Sequence, residues 1–309
     1  MSEFARDELR RAAPARPSAV TIGVFDGVHR GHQYLFAQLL RRARALGLAA
    51  GAVTLYPDPV KVLHPNQPFY YLTSLEERIE LLYGTGIDFV APLTFTSELA
   101  ELGPADFVAM LYQELGMRML LMGPDNAFGR NREGSPRRMR ELGEALGFSV
   151  EVLPEPLIAS ERPVHSTAIR EALAEGELRV VEELLGRRYS IRGPVIRGEQ
   201  RGRDLGYPTA NIGVTPDRAL PAFGVYATWA YLGESRYASA TNIGRRPHFN
   251  GEAATVEAYI MDFDGDIYGR TLKLEVVERI SAELKFETLD QLKAKIAQDV
   301  ARAREVLRE

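Results

Sequence analysis

The 309-residue chain contains no cysteine. Disulfides and thiolate metal sites are therefore excluded, and the composition fits a reducing compartment such as the cytoplasm. Tryptophan occurs once and histidine five times. No apolar run reaches the ~20 residues of a membrane-spanning helix. The first sixteen residues mix acidic and basic side chains where a secretory leader carries an apolar stretch. A formal charge of −4 gives no basic footprint for nucleic acid. Repeats and low-complexity segments are also missing. What remains is 45% hydrophobic and long enough for two domains. The expectation is a cytoplasmic protein, a monomer or weak homo-oligomer, with small-molecule partners and neither nucleic acid nor membrane among them.

The first half alternates strand-like and helix-like patterns. Residues 20–24, 49–55, 89–93, 119–122 and 150–153 read as strands, with helices between them. One helix opens on a capping box, Ser74 with Glu77, and another begins at Pro104. Such alternation predicts a parallel sheet covered by helices, with ligands at the carboxyl ends of the strands. The first strand ends in Gly23, Val24, Phe25, Asp26, Gly27, Val28, His29, Arg30, Gly31 and His32, and an apolar helical period follows. Free N–H groups and the positive end of the helix dipole make such a turn a phosphate site. Taken alone, a glycine-rich turn is equally compatible with a mere tight connection. Two imidazoles three residues apart favour phosphate chemistry, because they face the same way and donate hydrogen bonds to oxygen.

The second half has a different period. Val225, Ala227, Trp229 and Tyr231 alternate with their neighbours, as do Val256, Ala258 and Ile260, and Leu272, Leu274 and Val276. With a hairpin signal at Asp264 and Gly265, this reads as an antiparallel barrel or sandwich. A last helix is capped by Thr288 and carries Leu289, Leu292, Ile296, Val300 and Ala303 on one face. The border is placed near Gly186, giving domains 1–186 and 187–309. Glycines at 193, 198, 202 and 206 frame a loop that ends in Pro208, Thr209, Ala210 and Asn211. Thr209 and Asn211 offer neutral oxygens on one side of an extended segment, which suits Mg²⁺ shared with phosphates. Walker A is absent, so a kinase here is of another class.

The turn at residues 21–33 resembles the N-terminal module of bacterial bifunctional riboflavin kinase/FAD synthetases. The loop with its Pro-Thr-Ala-Asn ending resembles their riboflavin kinase domain, and the likeness continues through Gly224, Tyr226, Asn242, Gly244, Glu257, Asp262, Tyr268 and Phe286. Leu72, Thr73, Ser74 and Arg78, then Phe128 and Gly129, and Ser166, Thr167 and Arg170, are similar to the adenylyltransferase. The resemblance implies a Rossmann-like α/β nucleotidyltransferase domain, then an antiparallel β-barrel kinase domain with a C-terminal helix. It implies two ATP-dependent steps, riboflavin to FMN and FMN to FAD plus pyrophosphate. It places Gly23, Phe25, Asp26, Gly27, His29, His32, Ser166, Thr167 and Arg170 at the first ATP, with His29, His32 and Arg170 catalytic. Pro57, Pro59 and Asp125 fall at FMN. Gly198, Gly202, Arg203, Gly206, Pro208, Thr209 and Asn211 fall at the kinase ATP, Thr209 and Asn211 hold Mg²⁺, and Glu257 is the base.

The chain also departs from the family pattern. Leu55 stands for a usual phenylalanine, Asp58 for a frequent histidine, and His165 for a serine. Pro124, Asn126 and Ala127 interrupt an acidic-Phe-basic stretch. In the kinase half, His248 replaces threonine and Ser281 a common arginine. The alternative is an active kinase whose N-terminal domain regulates by binding nucleotide or flavin, or adenylylates another acceptor.

Overall fold

The computed structural model describes residues 3–124, 126–153, 158–159, 162–198, 202, 205–248, 251–284 and 286–308. They form two compact units, Met1–Ser166 and Thr167–Glu309.

The first unit begins with α1 (Glu3–Ala12), then β1 (Ser18–Gly23), α2 (Arg30–Leu46), β2 (Ala49–Tyr56), α3 (Pro59–Leu63) and α4 (Leu75–Tyr83). It continues with β3 (Phe89–Thr94), α5 (Ser97–Ala100), α6 (Pro104–Glu114), β4 (Met117–Met122), α7 (Pro136–Leu146) and β5 (Ser149–Val152). A short hairpin, β6 (Ile158–Ala159) with β7 (Arg162–Pro163), follows. The parallel sheet has the order β3-β2-β1-β4-β5, so the chain reverses its direction of travel between β1 and β4. Ligands collect outside the carboxyl ends of the strands at such a switch point. Both sheet faces are covered. Val20, Ile22, Val53 and Leu120 pack toward α1 and α6, while Ala19, Ala52 and Leu121 pack against Phe36 and Leu39 of α2. Dual coverage explains the nearly unbroken apolar strands.

The polar N-terminal stretch is helical from Glu3. α1 buries Ala5 and Leu9, pairs Arg6 with Glu114 of α6, and caps the β3 end through Glu8, which accepts from the Thr94 backbone N–H at 2.8 Å. Two apolar residues one turn apart are too weak a period to announce such a helix.

In the second unit α8 (Ser166–Glu175), whose first residue belongs to the other unit, and α9 (Leu178–Leu185) precede a closed six-stranded barrel. Gly186, the expected border, is the left-handed C cap of α9 (φ 72°). The strands are β8 (Ser190–Ile196), β9 (Ala210–Ile212), β10 (Gly224–Leu232), β11 (Ser235–His248), β12 (Gly251–Ile260) and β13 (Thr271–Ala282). They close in the order β10-β11-β12-β9-β8-β13, and α10 (Leu289–Val306) ends the fold. On β10 the alternating residues Ala227 and Trp229 face outward. They pack against Val300, Ala303 and Leu307, while Thr228 lies buried on the other face and hydrogen-bonds Thr241 at 2.7 Å. The helix supplies a second apolar layer, so both faces of the strand are covered. On α10, Leu289 is 72% exposed and so lies off the packed face expected for it.

Candidate active sites

The turn after β1 is strained. Phe25 and Val28 hold left-handed φ values of 54° and 39°, beside Gly27 at 79°. For a β-branched residue such as Val28 this conformation is costly, so surrounding contacts must impose it. Asp26 imposes them. Its buried carboxylate accepts from the Leu72 N–H at 2.9 Å, the Thr73 N–H at 3.0 Å and the Thr73 hydroxyl at 2.9 Å. Thr73 Oγ1 in turn accepts from the Gly27 N–H at 3.1 Å. The sequence places Asp26 among the nucleotide contacts. Both of its carboxylate oxygens accept from Leu72 and Thr73, so the side chain also builds the turn. Gly23 is dictated by its neighbour, because a Cβ there would lie 2.8 Å from the Phe25 ring.

His29 caps α2, its Nδ1 accepting from the His32 backbone N–H at 3.4 Å. An accepting Nδ1 carries no proton, which leaves the neutral ring with its proton on Nε2. The rings of His29 and His32 stack, centroids 3.6 Å apart at 18°, and the Phe25 edge meets His32 at 5.1 Å. His32 Nδ1 is buried with no hydrogen-bond partner. Burial, then repulsion from a proton on His29 and from the Arg78 guanidinium, holds the His32 pKa well below its ordinary value. Both imidazoles thus stand at the N-terminus of α2.

Beneath the turn lies Arg78 of α4, fully buried. It donates to the carbonyls of Val24 at 2.9 Å and Leu55 at 3.3 Å, tying the ends of β1 and β2 together, and stands 3.5 Å from Asp26 Oδ1. Its Nε and Nη2 find no hydrogen-bond acceptor. Burial lowers its pKa and Asp26 opposes the shift. Ser166 joins the turn by donating to the Asp26 carbonyl at 2.9 Å. Thr167, exposed, and Arg170, half-buried, follow on α8 within the second unit.

A cavity of about 400 Å³ opens in the same unit, walled by Leu55, Pro59, Phe95, Leu99, Phe107 and Phe128, with Arg130 and Arg132 also at its edge. Pro59 is thus placed in a wall, while Pro57 precedes it at a cis peptide after Tyr56. Asp58 is a helix cap. It accepts from the Val60 N–H at 2.9 Å and donates its own N–H to Tyr71 at 2.8 Å. Asp125 lies outside the described residues. Phe95 escapes sequence reading because only the fold brings it to the wall that holds Phe107 and Phe128.

In the barrel, Glu257 on β12 stands directly opposite Asn211 of β9 on one side and Asn242 of β11 on the other. Residues paired across adjacent strands share a face. Glu257 therefore points away from buried Val256 and Ala258, as the alternation predicts. Thr209 Oγ1 is 3.5 Å from Glu257 Oε2, a weak contact. The loop glycines make room. A Cβ at Gly198 would lie 2.3 Å from Asn211 Nδ2, and one at Gly202 2.3 Å from the Tyr207 carbonyl, while Gly206 is left-handed at φ 86°. Arg203 lies outside the described residues.

Two cavities meet at Thr209. One, of about 440 Å³, is lined by Pro208, Thr209, Ala210 and residues 263–268. The other, of about 400 Å³, runs from Thr209 and Glu257 to Leu292, Lys295, Ile296 and Val300 of α10. Leu292 and Ile296 stay half-exposed because they wall this space. Lys295 and Asp299 were hidden in the sequence as an ordinary i,i+4 helix pair.

The FAD synthetase family model matches residues 12–168, and the riboflavin kinase model matches residues 185–307. The chain is 35% identical over 295 residues to the bifunctional riboflavin kinase/FMN adenylyltransferase of Escherichia coli K12, covering 95% of this chain and 94% of that one. The counterpart in Bacillus subtilis strain 168 is 32% identical over 286 residues, covering 91% and 90%. A solved structure titled as a macrolide-efflux protein from Streptococcus pneumoniae superposes with a TM-score of 0.86 at 30% identity, covering 96% of each chain. Among the described residues no helix is long and apolar enough to cross a membrane. With two family models tiling the chain and relatives matched over nearly their whole length, the protein belongs to the bifunctional riboflavin kinase/FMN adenylyltransferase family.

Proposed function

We infer that the chain carries flavin from riboflavin to FAD in two ATP-dependent transfers, one in each part. The protein is a riboflavin kinase and an FMN adenylyltransferase. Residues 1–186 serve the adenylyl transfer and residues 187–309 the kinase. The observation that carries the kinase reading is the row Asn211, Glu257, Asn242 beside two cavities that share Thr209.

In the kinase, riboflavin fills the cavity under α10 and the nucleotide the cavity at residues 263–268. Glu257 accepts the proton of the ribityl 5′-hydroxyl as that oxygen bonds to the γ-phosphorus and ADP leaves. Phosphoryl transfer asks mostly for alignment and charge neutralisation, which this row supplies. Thr209 and Asn211 bring hard neutral oxygens to the phosphate side. They fit Mg²⁺, which takes oxygen ligands and retains phosphate and water in its shell. When bound, the ion neutralises phosphate charge.

In the adenylyltransferase, an FMN phosphate oxygen attacks the α-phosphorus of ATP and pyrophosphate leaves. The nucleophile is already ionised, so no protein base is required. His29 and His32 donate to the phosphates from the start of α2, and Arg170 adds a guanidinium fork. Gly23, Phe25, Gly27, Ser166 and Thr167 shape the ATP site. The cavity at Leu55, Pro59 and Phe128 takes the flavin ring, near Pro57 and Asp125 in sequence. Both reactions belong in the cytoplasm, where ATP is supplied, and require no nucleic acid or membrane. One chain, as a monomer or weak homo-oligomer, carries both sites.

Product analysis tests the scheme. Purified protein with riboflavin, ATP and Mg²⁺ gives FAD. Asn211→Ala stops FMN formation and spares conversion of added FMN to FAD, and His32→Ala does the reverse. Loss of both activities in either folded variant sinks the two-site scheme.

A further inference from the structure

The cavity under α10 is mostly apolar, with Val225, Leu284, Leu292, Ile296 and Val300 in its walls. A cation stands among them. Lys295 Nζ lies 2.6 Å from Asp299 Oδ1, and the other carboxylate oxygen of Asp299 accepts from the Ser281 hydroxyl at 3.2 Å. This is no solvated surface pair, because the side chains of Lys295 and Asp299 are only 22% and 6% exposed. Lys295, Asp299 and Ser281 all line the cavity. Asp299 uses one donor of the ammonium, and a lysine has three. Among the described residues no other acceptor is bonded to it.

The substrate's chemistry matches this wall. Riboflavin has an apolar dimethylbenzene edge, a pyrimidine edge with two carbonyl oxygens, and a ribityl chain whose 5′-hydroxyl must reach Glu257. Apolar walls accept the ring system but do not choose its orientation. A fixed donor does.

We propose that Lys295, held by Asp299 and Ser281, is the positioning and specificity residue of the riboflavin cavity, donating to the carbonyl edge of the isoalloxazine ring. Residue 281 sits on β13 with its side chain already on Asp299, so an arginine there would reach the same carboxylate and bring its own fork to the cavity. Position 281 and position 295 are then two alternative origins for one cation, and this chain uses the helix.

The assignment rests on the cavity being the riboflavin site. Ile296→Trp, which fills the space, tests that separately. If Ile296→Trp binds riboflavin as the parent does, by quenching of flavin fluorescence, the cavity is not the flavin site. If Ile296→Trp loses binding, the Lys295 variants decide.

Lys295→Met leaves a buried carboxylate short of a partner, so Lys295→Met with Asp299→Asn is made beside it. Both raise KM for riboflavin about tenfold, with kcat within about twofold and conversion of FMN to FAD intact. Ser281→Arg added to Lys295→Met restores most of the lost KM. An unchanged KM in both variants overturns the assignment. So does a raised KM that Ser281→Arg fails to recover, as a packing defect alone would give.

Discussion

His29 Nδ1 accepts the backbone N–H of His32 while the two rings stack with centroids 3.6 Å apart. Neither feature tolerates both rings being charged. A protonated Nδ1 cannot cap the helix, and two cations cannot share that spacing. The folded state holds the His32 pKa well below 6.5, its ordinary value, by burial. Below that value the unfolded chain therefore binds more protons than the folded one. Stability falls as the pH drops from about 6.5 toward the folded pKa, and the term vanishes above it. Urea unfolding of the first unit between about pH 5 and 8 should show this slope. His32→Asn, which does not titrate, should flatten it.

The Arg78–Asp26 pair is the buried support of the same turn. Arg78→Met leaves the Asp26 carboxylate without its cation and frees two strand-end carbonyls. Breaking a buried pair from one side typically costs ~3–5 kcal/mol. The expected result is a lowered unfolding midpoint for the first unit and weaker FMN adenylylation. Kinase activity, assayed as FMN formation from riboflavin, should persist below that midpoint.

How much of this was legible follows from where the information sits. The first five strands match their apolar runs to within two residues at each end, because strands covered on both faces must be apolar throughout. The Ser74 capping box is local chemistry, and both of its hydrogen bonds form. The histidines stand out because their residue type is uncommon in this chain and two of them open one helix, whereas Glu257 is marked only by the resemblance of the motif around it. Other features depend on partners distant in sequence. Nothing near Asp26 announces that it will accept from Leu72 and Thr73, so its part in building the turn is not legible. Arg78 sits in a helix motif whose sequence gives no sign of full burial. On β10 the alternation was right in period, but it could not say that α10 would cover the outer face.

Gly198 tests the kinase row without touching its chemical groups. The Cβ of Gly198→Ala would arrive 2.3 Å from Asn211 Nδ2. The amide must turn away from its place beside Glu257. FMN formation should fall by about 10-fold or more, since small misplacements of an aligning group are expensive in phosphoryl transfer. Adenylylation of added FMN should be unaffected. Unchanged riboflavin phosphorylation would show that Asn211 does not act from the position seen here.

Leu55 tests the flavin cavity of the first unit. It shares the cavity lining with Phe107 and Phe128, whose ring centroids lie 6.3 Å apart. Leucine offers the flavin ring dispersion but no π face. Leu55→Phe supplies one and occupies part of the 400 Å³. An added aromatic pair is worth about 0.5–1.5 kcal/mol, so KM for FMN should fall about two- to tenfold in the adenylyl transfer. The chemical step should be unchanged, because His29 and His32 are untouched and uniform binding lowers KM without raising kcat. Steady-state rates at varied FMN and saturating ATP measure both quantities. A raised KM would mean that the ring needs the space leucine leaves, and that this cavity is shaped for a bulkier occupant than the aromatic wall would admit.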